Sequence, residues 1–122
     1  MQIVNTDEVE TENKIGNPLF VGSVTSKQLL NADTDEGIRV GLVMFNPGGR
    51  NVWHTHSHEQ ILYITDGKGI VATEKEEVIA VPGMIIRIPP GEKHWHGATN
   101  DTSFSHLAIV KPGKNPKTTI KI

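Results

Sequence analysis

The chain of 122 residues contains no cysteine. Disulfides, thiolate nucleophiles, zinc ribbons and iron–sulfur clusters are therefore excluded. No apolar run approaches the ~18 residues that a membrane-spanning helix requires. The N-terminal stretch has no basic region followed by an apolar one. Asp7, Glu8, Glu10 and Glu12 make it acidic instead, so the sequence reads as a cytoplasmic protein without a cleaved signal. Charge of either sign is also short of excess: 12 Lys+Arg against 14 Asp+Glu give a net charge of −2. Neither nucleic acid nor an anionic membrane is an expected partner on that balance. No helix of ten or more residues is readable, and strict repeats and low-complexity segments are missing.

What the chain has is punctuation. Twelve Gly and seven Pro divide it into short apolar, β-branched runs. Pro18 to Val24, Gly37 to Phe45, Val52 to His56, Gln60 to Thr65, Gly69 to Thr73, Glu77 to Val81, Met84 to Ile88, His94 to Ala98 and Phe104 to Val110 read as strands. Ser26 to Leu30 reads as one helical turn, and Thr118 to Ile122 as a weak tail. Many short strands separated by turns predict an all-β fold, an antiparallel jelly-roll β-barrel. The length suits one domain over residues 1–122, with 1–17 as a surface or interface segment and 37–111 as the core barrel.

Five of the six histidines fall in two clusters, His54, His56 and His58, then His94 and His96; His106 stands in the last strong strand. Alternate residues of a strand share a face, so His54 and His56 project together and are able to grip one ion. Gln60 opens the next strand, aims its amide oxygen at the same interior point, and is continued inward by Leu62 and Ile64. A lone strand histidine is ordinarily just a hydrogen-bonded residue. An H-x-H pair joined by a second cluster at His94, after its own Pro-Gly turn, points to a metal site instead. Imidazole with a hard amide oxygen favours Mn, Fe, Ni or Zn over soft Cu(I). His96 shares the face of His94, and His106 that of Phe104 and Ala108, so both are candidates for proton transfer. His58 reads as an exposed turn residue. Trp53 and Trp95 face away from the ligands, Met44, Phe45 and Phe104 read as core or cavity wall, and Arg87 as a surface ion pair.

These spacings resemble the cupin superfamily. Gly48, five residues, His54-Thr55-His56, three residues, Gln60, six residues and Gly67 follow its first motif, with Gln60 where Glu is usual. Gly83, Pro89, Gly91 and His94 follow the second, with Ala98 where Asn is usual. Glu59 adjoins Gln60, but a shift to it would break both flanking spacings. Trp53-His54-Thr55-His56, Gln60, the run Pro90 to Ala98, and His106 are similar to a bacterial subgroup associated with carboxymuconolactone decarboxylases. That subgroup includes manganese-dependent cupin hydroxynitrile lyases. The resemblance implies one divalent metal per chain, manganese first, on His54, His56, Gln60 and His94, with His96 and His106 as acid/base or neighbouring groups.

The function expected is that of a small metalloenzyme of lyase or isomerase type, acting on a small carbonyl, cyanohydrin or lactone-like molecule. A neutral Gln in place of Glu leaves the dication less neutralised and a stronger Lewis acid. A metal-dependent dioxygenase is the enzymatic alternative, and a non-catalytic cupin that binds a small ligand the other. A homodimer is expected from the exposed edge strands and the N-terminal segment.

Overall fold

Buried side chains alternate with more exposed ones along Gln60–Gly67 and at the start of Phe104–Val110, and the buried rows face one interior. In a computed structural model that describes residues 1–121, thirteen strands follow one short 3-10 turn, Thr6–Glu8. They are β1 (Glu12–Asn13), β2 (Phe20–Val21), β3 (Val24–Leu30), β4 (Arg39–Phe45), β5 (Arg50–Asn51), β6 (His54–His56) and β7 (Gln60–Gly67). Then come β8 (Gly69–Thr73), β9 (Glu77–Ala80), β10 (Ile85–Ile88), β11 (His94–Ala98), β12 (Phe104–Val110) and β13 (Thr118–Ile120). One sheet runs β1-β3-β4-β12-β7-β10. The other runs β13-β6-β11-β5-β2, with β8 joined to β11 and β9 to β8. Every pairing is antiparallel. The expected all-β jelly-roll barrel is the fold observed.

The inner faces meet in a core of Val24, Phe45, Leu62, Ile64, Val71, Ala80, Ile88, Ala98 and Phe104, drawn from both sheets. Burial of each large apolar side chain contributes about 1.5–3 kcal/mol. Phe45 and Phe104 stack with centroids 5.8 Å apart and close one end of the interior. Met44, by contrast, lies outside this core, because it points to the opposite face of β4 from Phe45.

Two sequence expectations are corrected. Ser26 to Leu30 is not a helical turn but most of β3, since β4 offers it a paired backbone from Val24↔Phe45 to Leu30↔Val40. Cross-strand pairing outweighs the local preference. Pro18 to Val24 is not one strand: it breaks between β2 and β3 at Gly22, whose φ of +77° suits glycine and whose Cα side lies hard against Gly49. Within residues 1–17, which are mostly exposed, β1 extends the first sheet by pairing with β3. The tail from Thr118 forms β13 on the edge of β6; Ile122 lies outside the described residues. Among the described residues no helix is long and apolar enough to cross a membrane.

Candidate metal centre

One register and one strand alternation bring the histidines together. His94 on β11 lies directly opposite His54 on β6, and His56 shares the face of His54. The ring centroids of His54 and His94 are 4.2 Å apart, and those of His54 and His56 4.7 Å. One ring nitrogen from each of the three lies within 4.8 Å of the other two. Gln60, at the start of β7, places Oε1 3.3 Å from His94 Nε2. Glu59 turns outward to pair with Arg87. The structure thus brings His54, His56, His94 and Gln60 to one point.

The hydrogen bonds behind the rings define their tautomers. His54 Nδ1 donates to the Val52 carbonyl at 2.6 Å, and His94 Nδ1 to the Glu92 carbonyl at 2.8 Å. A carbonyl only accepts, so in both rings the proton is on Nδ1 and the Nε2 lone pair faces inward. His56 Nδ1 lies 2.9 Å from Thr118 Oγ1. That hydroxyl can donate or accept, so His56 alone of the three is able to change tautomer. His54 Nε2 and His56 Nε2 stand 3.1 Å apart. Two nitrogens bound about 2.1 Å from one ion at a right angle would be about 3.0 Å apart. A converging set of lone pairs and one amide oxygen at this spacing fits a divalent cation.

Burial keeps these rings neutral. It pushes His54 down to about 4, the Val52 hydrogen bond opposing, and His56 down to about 3, with the neighbouring His54, His94, His58 and Arg39 charges adding to the effect. His94 is lowered for the same reason, its bond to Glu92 opposing. Neutral imidazoles at pH 7 present no proton that a metal must displace from Nε2, apart from the His56 tautomer.

His96 and His106 point inward as expected but sit deeper. His96 is wholly enclosed; its backbone N–H donates to Asn51 Oδ1 at 2.8 Å, and Asn51 Nδ2 donates to its Nε2 at 3.1 Å. That leaves His96 Nδ1 to donate to His106 Nε2 at 2.9 Å. His106 packs against Phe45 and Phe104, and its Nδ1 has no hydrogen-bond partner among the described residues. Burial lowers both rings, His96 far below the usual range and His106 to about 4. Neither lines the cavity of about 280 Å³ that opens at the cluster. His56 and Gln60 do, together with Val43, Ala108 and Val110, and the cross-strand partner of Val43 is His106 itself.

Three residues escaped the sequence reading. His58 is not merely an exposed turn residue: its ring stacks on His56 at 5.1 Å and forms part of the cavity wall. Asn51 fixes His96 from a position 45 residues away, and Thr118 fixes His56 from 62 residues away. Only the closed barrel joins these pairs; the nearest sequence signal is that Thr118 begins a β-branched run. Thr118→Val keeps the shape of the side chain and removes the hydroxyl. The variant should bind metal about tenfold more weakly, as loss of a partner behind a ligand does, measured by competition with a chromogenic chelator. Unchanged affinity would show that Thr118 has no part in orienting His56.

A jelly-roll barrel holding three histidines and an amide at one internal point is the cupin arrangement. Residues 41–110 match the family described as the Cupin domain, and the chain belongs to that family. An (R)-mandelonitrile lyase from Granulicella tundricola is 41% identical over 91 residues, covering 74% of this chain and 70% of that protein. Of solved structures, a cupin-like protein from Thermotoga maritima is 31% identical with a TM-score of 0.74, covering 90% of this chain and 80% of that one. The polyketide cyclase RemF from Streptomyces resistomycificus has a TM-score of 0.85 at 21% identity, covering 100% and 86%; at that identity the likeness is one of fold alone.

Proposed function

We propose that this chain is a metal-dependent lyase that cleaves a small cyanohydrin-like or related carbonyl-forming substrate. The observation that carries the reading is the convergence of three His nitrogens and Gln60 Oε1 at the wall of a cavity large enough for a small molecule. The likeness to the (R)-mandelonitrile lyase supports the choice of reaction. His54, His56, Gln60 and His94 would hold a divalent ion, manganese first and then Fe, Ni or Zn, which would supply Lewis-acid polarisation of a substrate oxygen. Gln60 leaves the charge of that ion unreduced by a carboxylate, which strengthens the polarisation.

The remaining work falls to the chain. His56 and Gln60 form the cavity wall nearest the cluster, so a substrate oxygen enters past them. Val43, Ala108 and Val110 exclude water from an apolar side of the cavity. His106 is assigned the proton-transfer role: among the described residues its Nδ1 is the atom of this chain of bonds left without a partner, and it lies across from Val43 of the cavity wall. His96 positions His106.

The test is turnover by manganese-loaded protein of mandelonitrile and of aliphatic cyanohydrins, followed as aldehyde release. Release should need metal, stop on chelation and proceed without oxygen. Binding of all substrates without turnover would mark a ligand-binding cupin, and oxygen consumption with substrate loss a dioxygenase; either result overturns the reading.

A further inference from the structure

The cavity beside His56 and Gln60 is lined by a cation, Arg39, whose charge meets no carboxylate among the described residues. Arg39 opens β4 and alternates onto the same face as Gly41, Val43 and Phe45, so its side chain belongs to the interior-facing row and lines the cavity. Two lysines also contribute to the wall, but both ammonium groups are engaged. Lys14 Nζ pairs with Glu12 at 3.2 Å, and Lys27 Nζ donates to the Thr6 carbonyl at 2.8 Å. Arg39 forms no ion pair among the described residues. The cavity wall contains no Asp or Glu, and the fourth member of the metal cluster is an amide where a carboxylate would have brought a negative charge. Gly41 and Ala108, directly paired across β4 and β12, are small residues in the same cavity wall.

A partly enclosed guanidinium loses hydration that only an anion restores well, and its planar fork matches a carboxylate through two parallel N–H···O bonds. We infer that the substrate of this site carries a carboxylate beside its reacting oxygen, and that Arg39 binds that carboxylate and sets specificity for anionic over neutral molecules. The inference rests on the reading of this cavity as the substrate site and narrows it to small hydroxy or oxo compounds bearing a carboxylate.

The probes are benzoate and its neutral isostere benzamide, titrated calorimetrically into metal-loaded protein, with metal content measured on each sample. The wild-type chain should prefer benzoate, and Arg39→Gln should reduce that preference about tenfold, the scale of a charge-assisted bond. Arg39→Lys, which keeps the charge without the fork, should recover part of it. Attraction of benzoate to the ion is common to all three proteins and cancels in the comparison. A preference within twofold of wild type in Arg39→Gln, at equal metal content, would overturn the inference. The readout is binding alone, so absence of turnover with both neutral and carboxylate-bearing cyanohydrins would end the lyase reading without touching this one.

Discussion

Replacing His94 with alanine should empty the metal site and reduce activity to the background of metal-free protein. His94 is fully buried and stands where β11 meets β6, with its ring against both His54 and Gln60. The Glu92 carbonyl locks its Nδ1 proton, so Nε2 has no use except as an inward acceptor. Without it, His54 and His56 remain with one amide oxygen, and the three-nitrogen set that fits a divalent ion is gone. Elemental analysis after dialysis against a weak chelator should give wild-type protein close to one ion per chain and His94→Ala close to none. A thermal melt accompanies the measurement, because an enclosed imidazole also fills space and its removal destabilises by roughly 2–4 kcal/mol. His94→Gln serves where the alanine variant folds poorly. A folded variant of either kind that keeps stoichiometric metal would remove His94 from the ligand set and redirect attention to His58, whose ring already stacks on His56.

The metal cluster was legible in the chain because its logic is local. His54 and His56 are two residues apart on a strand, Gln60 follows one turn later, and period-two alternation puts all three inside. The choice of Gln60 over Glu59 rests on the spacings to His56 and Gly67, and Glu59 faces outward against Arg87. What was not legible depends on closure of the barrel. Thr118 reaches His56 only because β13 pairs with β6, and Asn51 reaches His96 only because β5 crosses β11 so closely that Gly97 is required there. A Cβ on Gly97 would lie 2.2 Å from Arg50 Cβ. Arg39 likewise looks like an ordinary charge at the start of a strand until β4 is known to line the interior. The helical turn expected at Ser26 to Leu30 failed for the same reason: its partner strand lies beyond the loop and pairs with it residue by residue.

His106→Ala separates metal binding from chemistry, and its expected outcome is the reverse of that for His94. His106 lies on β12, across from Val43 and Ile64 and beyond the reach of the metal cluster, with His96 between. Its removal should leave close to one ion per chain while lowering turnover by about 10²–10⁴, the usual contribution of a positioned acid or base. A purely structural role would act differently. The lost ring leaves His96 Nδ1–H without an acceptor, and His96→Ala or a volume-filling His106→Leu would report that effect on stability. His106→Gln offers an amide oxygen to His96 and retains a hydrogen bond there, but cannot carry a proton through the cycle. The reading of His106 as proton carrier requires His106→Gln to restore the melting temperature and not the rate. Recovery of both would reduce His106 to a support for His96, and loss of metal in His106→Ala would join the two layers of histidines into a single cooperative site.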